Sequence, residues 1–140
     1  MSTVKWIYII TIVLVSCSSC RDRNNYQVPY VPVNIVINIQ QPDFFDLTVT
    51  TGWVYITGGS RGIIVYRRSQ DEFVAIERHS TYNVDDQCAV IVAEDGVILD
   101  DPCSDSQWLI TDGTIVNGPT NAPLVTYDTS FNSPYLTITN

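Results

Sequence analysis

With four cysteines and one histidine, the chemistry open to this 140-residue chain is narrow. Cys88 and Cys103 flank two apolar runs separated by Glu94-Asp95-Gly96. If the runs pair as a hairpin, the outer cysteines meet and can bridge. A closed loop of this length is worth about 3 kcal/mol in the chain-entropy account. His79 has no second ligand at metal-site spacing, so it is expected to be a surface histidine at a strand end rather than a displaced ligand beside the two cysteines. The carboxylate pairs Asp85-Asp86, Glu94-Asp95 and Asp100-Asp101 could suggest acid–base work. They fall at turn and loop positions with no accompanying nucleophile, and solvated acids are expected there. Ser80, Ser104 and Ser106 have no histidine base in a recognisable arrangement, which speaks against a hydrolytic triad. Gly58-Gly59 could suggest a phosphate loop, but no helix follows whose N-terminus would hold the anion. A hairpin turn is expected instead, and the chain is expected not to be an enzyme.

The elements that carry these residues are strands. Eight Tyr, four Phe and three Trp accompany abundant Val, Ile and Thr, while the best helix formers, Ala and Leu, are scarce. Val33, Ile35, Ile37 and Ile39 alternate with Asn34, Val36, Asn38 and Gln40, the pattern of a strand with one buried face. Pro42-Asp43 interrupts it, and Phe44-Phe45-Asp46-Leu47 is read as an apolar knuckle. Trp53–Thr57 is the next strand, Gly58–Gly62 a turn, and Ile63–Tyr66 a fully buried strand. Arg67–Asp71 turns into Glu72–Glu77. Beyond Cys103, Trp108–Thr111 and Thr114–Val116 flank Asp112-Gly113, a strong hairpin signal. Asn117–Pro123 reads as a rigid loop, Leu124–Tyr127 as a strand, and Tyr135–Thr139 as the closing strand after a turn at Phe131–Pro134. Many short strands, with no helix-length pattern after the N-terminal segment, predict an all-β antiparallel sandwich or small barrel.

The N-terminus reads as an address. Lys5 precedes an apolar run from Trp6 to Val15, long enough for a signal peptide and too short to span a bilayer, which takes about 20 residues. Leu14-Val15-Ser16-Cys17 then looks like a bacterial lipobox, in which Cys17 would be lipidated and become the mature N-terminus. Cys20 is the rival acceptor, with Cys17 where Leu is usual. Residues 1–16 are thus assigned to a lipoprotein signal peptide and 17–27 to a polar, flexible tether. The domain is assigned to 28–140, beginning at the extended Val28-Pro29-Tyr30-Val31-Pro32. The formal charge is −8, and phosphates would be repelled, so nucleic acid is disfavoured as a partner.

The domain resembles the Rieske-like lipoproteins of Bacteroidetes-type bacteria across nearly its whole length. The resemblance rests on Pro29-Tyr30, Pro32, Arg61-Gly62-Ile63-Ile64-Val65-Tyr66 and Phe73-Val74-Ala75-Ile76. It continues through Asp101-Pro102-Cys103-Ser104-Asp105-Ser106-Gln107-Trp108, Asp112-Gly113, Gly118-Pro119 and Pro123-Leu124. Rieske domains hold a [2Fe–2S] cluster with two Cys on one iron and two His on the other. Their loops read Cys-x-His and Cys-Pro-Cys-His-Gly-Ser. In the second loop, Pro102, Cys103 and Ser106 match, which sets Asp101 at the ligand Cys, Ser104 at the ligand His and Asp105 at the loop Gly. In the first loop the ligand positions fall on Ser80 and Tyr82. The resemblance makes Cys103 the non-ligand cysteine that bridges the loops in respiratory members, with Cys88 its partner, a few residues later than usual.

A count supports the same conclusion without alignment. The cluster takes two histidines and the chain has one; with Cys17 and Cys20 set aside, the remaining cysteines are the bridging pair. The expectation is therefore a Rieske-like fold with no cofactor, lipid-anchored in the cell envelope at the outer membrane. Its role would be structural, or the binding of an unknown envelope protein or ligand. The alternative is a Rieske-type [2Fe–2S] electron-transfer protein of the envelope. If Cys17 is the lipidation site, Cys17→Ala releases the protein from the membrane fraction or leaves it unprocessed. A variant that still partitions like wild type would remove the lipobox assignment.

Overall fold

The computed structural model describes residues 27–140. The signal peptide, Cys17, Cys20 and all but the last residue of the tether lie outside the described residues. Ten strands follow one another: β1 (Asn34–Asn38), β2 (Trp53–Ile56), β3 (Ile63–Arg67), β4 (Phe73–Glu77) and β5 (Ile91–Val92), then β6 (Ile98–Asp100), β7 (Gln107–Leu109), β8 (Ile115–Asn117), β9 (Thr126–Asn132) and β10 (Tyr135–Thr139). They form a six-stranded sheet, β1-β10-β9-β4-β3-β2, and a four-stranded sheet, β5-β6-β7-β8. Every strand pairing is antiparallel.

The β3–β4 pair is the wall between two cores. Alternate residues of a strand point to opposite faces. Ile63, Val65, Phe73 and Ala75 face a core completed by Ile37, Leu136, Ile138 and Leu47. Ile64, Tyr66 and Ile76 face the other, completed by Leu99, Trp108, Ile110, Val90 and Leu124. Because both faces are covered, all five residues of β3 are buried, as its unbroken apolar run predicts. β10 and β3 belong to one sheet yet supply the same core, so the six-stranded sheet curls on itself. The four-stranded sheet closes the opposite face. The fold is thus the all-β antiparallel sandwich that the alternating pattern implies.

Three local details differ from the sequence reading. The knuckle at Phe44–Leu47 lies in a 3-10 helix, Pro42–Thr48, with proline in its first turn; Leu47 is fully buried whereas Phe45 is exposed. Arg67 ends β3 instead of opening the turn. Its guanidinium is buried and donates to the carbonyls of Leu47, Thr48, Ser69 and Gln70, while lying 5.2 and 5.8 Å from the Phe73 and Phe131 rings. It thereby supplies donors to carbonyls the short helix leaves unpaired. The ninth strand starts later than Leu124 and runs on to Asn132. Leu124 is held outside it by its N–H, which donates to the Gly113 carbonyl at 3.0 Å. The polar run Thr126–Asn132 has no apolar signature because one face of it remains largely exposed.

The two acidic turns behave as expected. Asp95 accepts the amides of Val97 and Ile98, at 2.8 and 3.0 Å, and these bonds hold its carboxyl below the usual carboxylate range. Asp112 accepts the Thr114 hydroxyl and amide, which lower its pKa in the same way.

Candidate functional site

Two loops meet at one tip of the four-stranded sheet. The first is closed at its base by a bridge between His79 and Ala89, and by the Ser80 N–H donating to the Cys88 carbonyl at 2.9 Å. The second caps the β6–β7 hairpin, where Asp101 N–H donates to the Ser106 carbonyl at 3.0 Å. A disulfide between Cys88 and Cys103 joins them, with the Cα atoms 6.3 Å apart.

Beside the disulfide, one carboxylate gathers both loops. Asp101 is 4% exposed. Its Oδ2 accepts the Ser80 hydroxyl at 2.8 Å and the Ser104 hydroxyl at 2.7 Å, and its Oδ1 accepts the Cys103 amide at 3.0 Å. Buried carboxylates persist when such donors replace water. Ser80 in turn accepts the Tyr82 amide at 3.2 Å, and Ser104 accepts the Ser106 amide at 3.2 Å. The third segment locks on through Ser106, whose hydroxyl accepts the Thr120 amide, and through the Ala122 carbonyl, which accepts from Thr81 and the Trp108 indole. At Gly118, φ is +99°, and a Cβ would run into the backbone of Asp105 and Ser106, so glycine permits the close approach.

Of the four positions singled out by the family resemblance, Ser80, Asp101 and Ser104 are brought into direct contact. Tyr82 is half-buried and joins through its main-chain amide. Two other expectations are overturned. Asp101 is not a solvated loop acid, because both loops close over it. His79 is not a surface residue: it is 2% exposed, with Nδ1 2.8 Å from the Ser60 hydroxyl and Nε2 2.8 Å from the Val84 carbonyl. A carbonyl can only accept, so in the neutral ring Nε2 carries the hydrogen and Nδ1 accepts from Ser60.

The residue that sequence reasoning missed altogether is Glu77, at the end of β4 and 1% exposed. Its Oε1 accepts the amides of Arg61 and His79, both at 2.9 Å. Its Oε2 accepts the Ser60 amide at 2.7 Å and the Tyr127 hydroxyl at 2.6 Å. The glycine-rich loop therefore does cradle an anion, and the anion is the chain's own carboxylate. Gly59, at φ +59°, has no room for a Cβ, which would meet that carboxylate and the Tyr127 hydroxyl. The signal available in the sequence was an acid closing an otherwise apolar strand. Ser60 and His79 have a nucleophile–base contact, yet the amides of Ser60 and Arg61, which could have served an oxyanion, already donate to Glu77.

The fit of this tip to an iron–sulfur cluster can be tested on its donors. Cys88, Asp101 and Cys103 have candidate ligand atoms within 4.8 Å of one another, but both sulfurs are consumed by the disulfide. Ser80 and Ser104 offer hydroxyls, and His79 has both nitrogens engaged elsewhere. Clusters take thiolate and imidazole. This donor set does not fit one. Among the described residues no helix is long and apolar enough to cross a membrane.

No protein-family profile matches the chain, and no curated protein matches it. Among solved structures it is similar to the plasma membrane Rieske protein PetC3 from the cyanobacterium Synechocystis PCC 6803, at 18% identity and a TM-score of 0.53. The match covers 63% of this chain and 86% of that one. The fold is Rieske-like.

Two measurements probe these carboxylates. Asp101→Ala leaves the Ser80 and Ser104 hydroxyls and the Cys103 amide without their acceptor, and denaturant unfolding is expected to show a loss of about 2–4 kcal/mol. Unchanged stability would mean the loops do not depend on this carboxylate. Burial pushes the Tyr127 phenol well above its ordinary value of 10.0, and its bond to Glu77 and that group's charge push it further. Above pH 10 the unfolded chain ionises this tyrosine while the folded one keeps it protonated, so the unfolded state binds fewer protons and stability falls as pH rises. Unfolding curves from pH 9 to 12 are expected to show that loss, with a shallower slope in Tyr127→Phe.

Proposed function

We propose that the chain is a lipid-anchored protein of the cell envelope whose Rieske-like domain has lost its cluster and keeps the fold for a structural or binding role, without catalysis. The observation that carries this reading is the Asp101 carboxylate. It stands where the family resemblance expects a cysteine ligand, and it accepts hydrogen bonds from residues at two other expected ligand positions, Ser80 and Ser104. A network of short oxygen contacts, closed by a disulfide, thus joins the two loops that a cluster would otherwise bridge. Among the described residues no buried side-chain nitrogen or oxygen lacks a partner, so the tip holds together with its own groups. Membrane association is supported by the Leu14-Val15-Ser16-Cys17 pattern and agrees with the plasma-membrane setting of the cyanobacterial neighbour. Anchoring at the outer membrane is part of the same proposal.

Protein produced with iron–sulfur assembly intact decides between this role and electron transfer. Iron and acid-labile sulfide are expected at far below stoichiometric levels, with no visible absorption band. Stoichiometric iron with sulfide and a coloured protein would reverse the reading and put [2Fe–2S] electron transfer in its place.

A further inference from the structure

We propose that the groove between the Gly58–Gly62 loop and the Gln87–Ala89 segment binds a small oxyanion, a carboxylate or a phosphate group, through Arg61 and Arg78. The described residues hold four basic side chains, Arg61, Arg67, Arg68 and Arg78. Arg67 is buried with its donors spent on carbonyls, and Arg68 pairs with Glu72 at 3.3 Å. The two that remain line the same groove, together with Tyr55, Ser60, Gln87 and Ala89. Among the described residues no acidic side chain lines it, although the Glu77 carboxylate lies behind the same loop, held by the Ser60 and Arg61 amides. On so acidic a protein, a concavity whose lining side chains include two arginines and no carboxylate stands apart from the rest of the surface.

Both guanidiniums are pinned by one nitrogen. Arg61 Nε donates to the Gln87 carbonyl at 2.7 Å, and Arg78 Nε donates to the Val90 carbonyl at 3.0 Å. Arg78 also lies 4.1 Å from the centre of the Tyr55 ring, whose own hydroxyl accepts the Val92 amide at 2.9 Å. The terminal nitrogens of both arginines have no hydrogen-bond partner among the described residues. A guanidinium fixed at Nε offers its remaining donors in a set fork, which suits paired oxygens and reduces the ordering cost of binding. Glu77, which binds the amides of the same loop, does not consume those donors, because four other donors already satisfy it. The groove shares the Gln87–Ala89 segment with the disulfide loop, but neither arginine is among the residues at the expected cluster-ligand positions, so the proposal does not depend on whether the domain holds a cluster.

Equilibrium dialysis of the full chain in detergent at low ionic strength tests the proposal, with radiolabelled inorganic phosphate in one arm and succinate in the other. Saturable one-to-one binding is expected in at least one arm, weakened by sodium chloride; the arm that binds identifies the oxyanion. Arg61→Gln removes an exposed side chain and is expected to weaken binding about tenfold, the scale of a lost charge-assisted contact. Arg68→Gln is expected to leave it unchanged. Arg78→Gln should act like Arg61→Gln; if it fails to fold because its contact with Tyr55 is lost, Arg61→Gln alone decides. No saturable binding in either arm, or binding equal in wild type and Arg61→Gln, overturns the site. Iron content does not enter this readout.

Discussion

A carboxylate with 1% exposure sits at the end of β4, and its four partners are all neutral donors. Removing an ion from water costs several kcal/mol unless donors replace the lost hydration. Glu77 meets that constraint by drawing in parts of the chain that are far apart. Two amides come from the loop between β2 and β3, one from His79, and one hydroxyl from Tyr127 on β9. The same contacts fix the glycine-rich loop, place Ser60 against His79, and hold His79 against Val84 at the start of the disulfide loop. The geometry of the tip is thus set partly by a charge that lies outside it.

Asp101 repeats the device at the tip itself. It lies under the two loops and takes a hydroxyl from each and an amide from its own, while the disulfide removes the freedom that would let the loops part. Covalent and polar ties act on the same pair of segments. A fold of this kind can persist while the chemistry at its loops changes, because the two cores on either face of β3–β4 do not include the tip's polar residues.

Arg61 and Arg78 show a related economy of structure. Each secures a carbonyl near the base of the disulfide loop with one nitrogen, and so stiffens the segment from Gln87 to Val90. The groove they line is consequently built of parts held for other reasons: a loop fixed by Glu77, a ring fixed by Val92, and a strand edge.

Much of the fold was legible in the sequence because it is written locally. Period-two alternation marked β1, an unbroken apolar run marked β3 as covered on both faces, and Asp-Gly and Asp95-Gly96 marked their turns. The Cys88–Cys103 pairing followed from the hairpin between them, since strand pairing alone brings its outer ends together. What the sequence could not decide was which polar residues water would reach. Asp95 and Asp101 belong to similar acidic pairs, yet one stays in solvent and the other is buried. Periodicity reports the geometry of neighbouring residues, whereas desolvation depends on what arrives from elsewhere: Ser80 lies 21 residues from Asp101, and Tyr127 lies 50 from Glu77. His79, taken for a surface residue, was buried by the same kind of long-range closure. Only the tertiary structure brings those donors together, and only their arrival makes a buried carboxylate or histidine affordable at these positions.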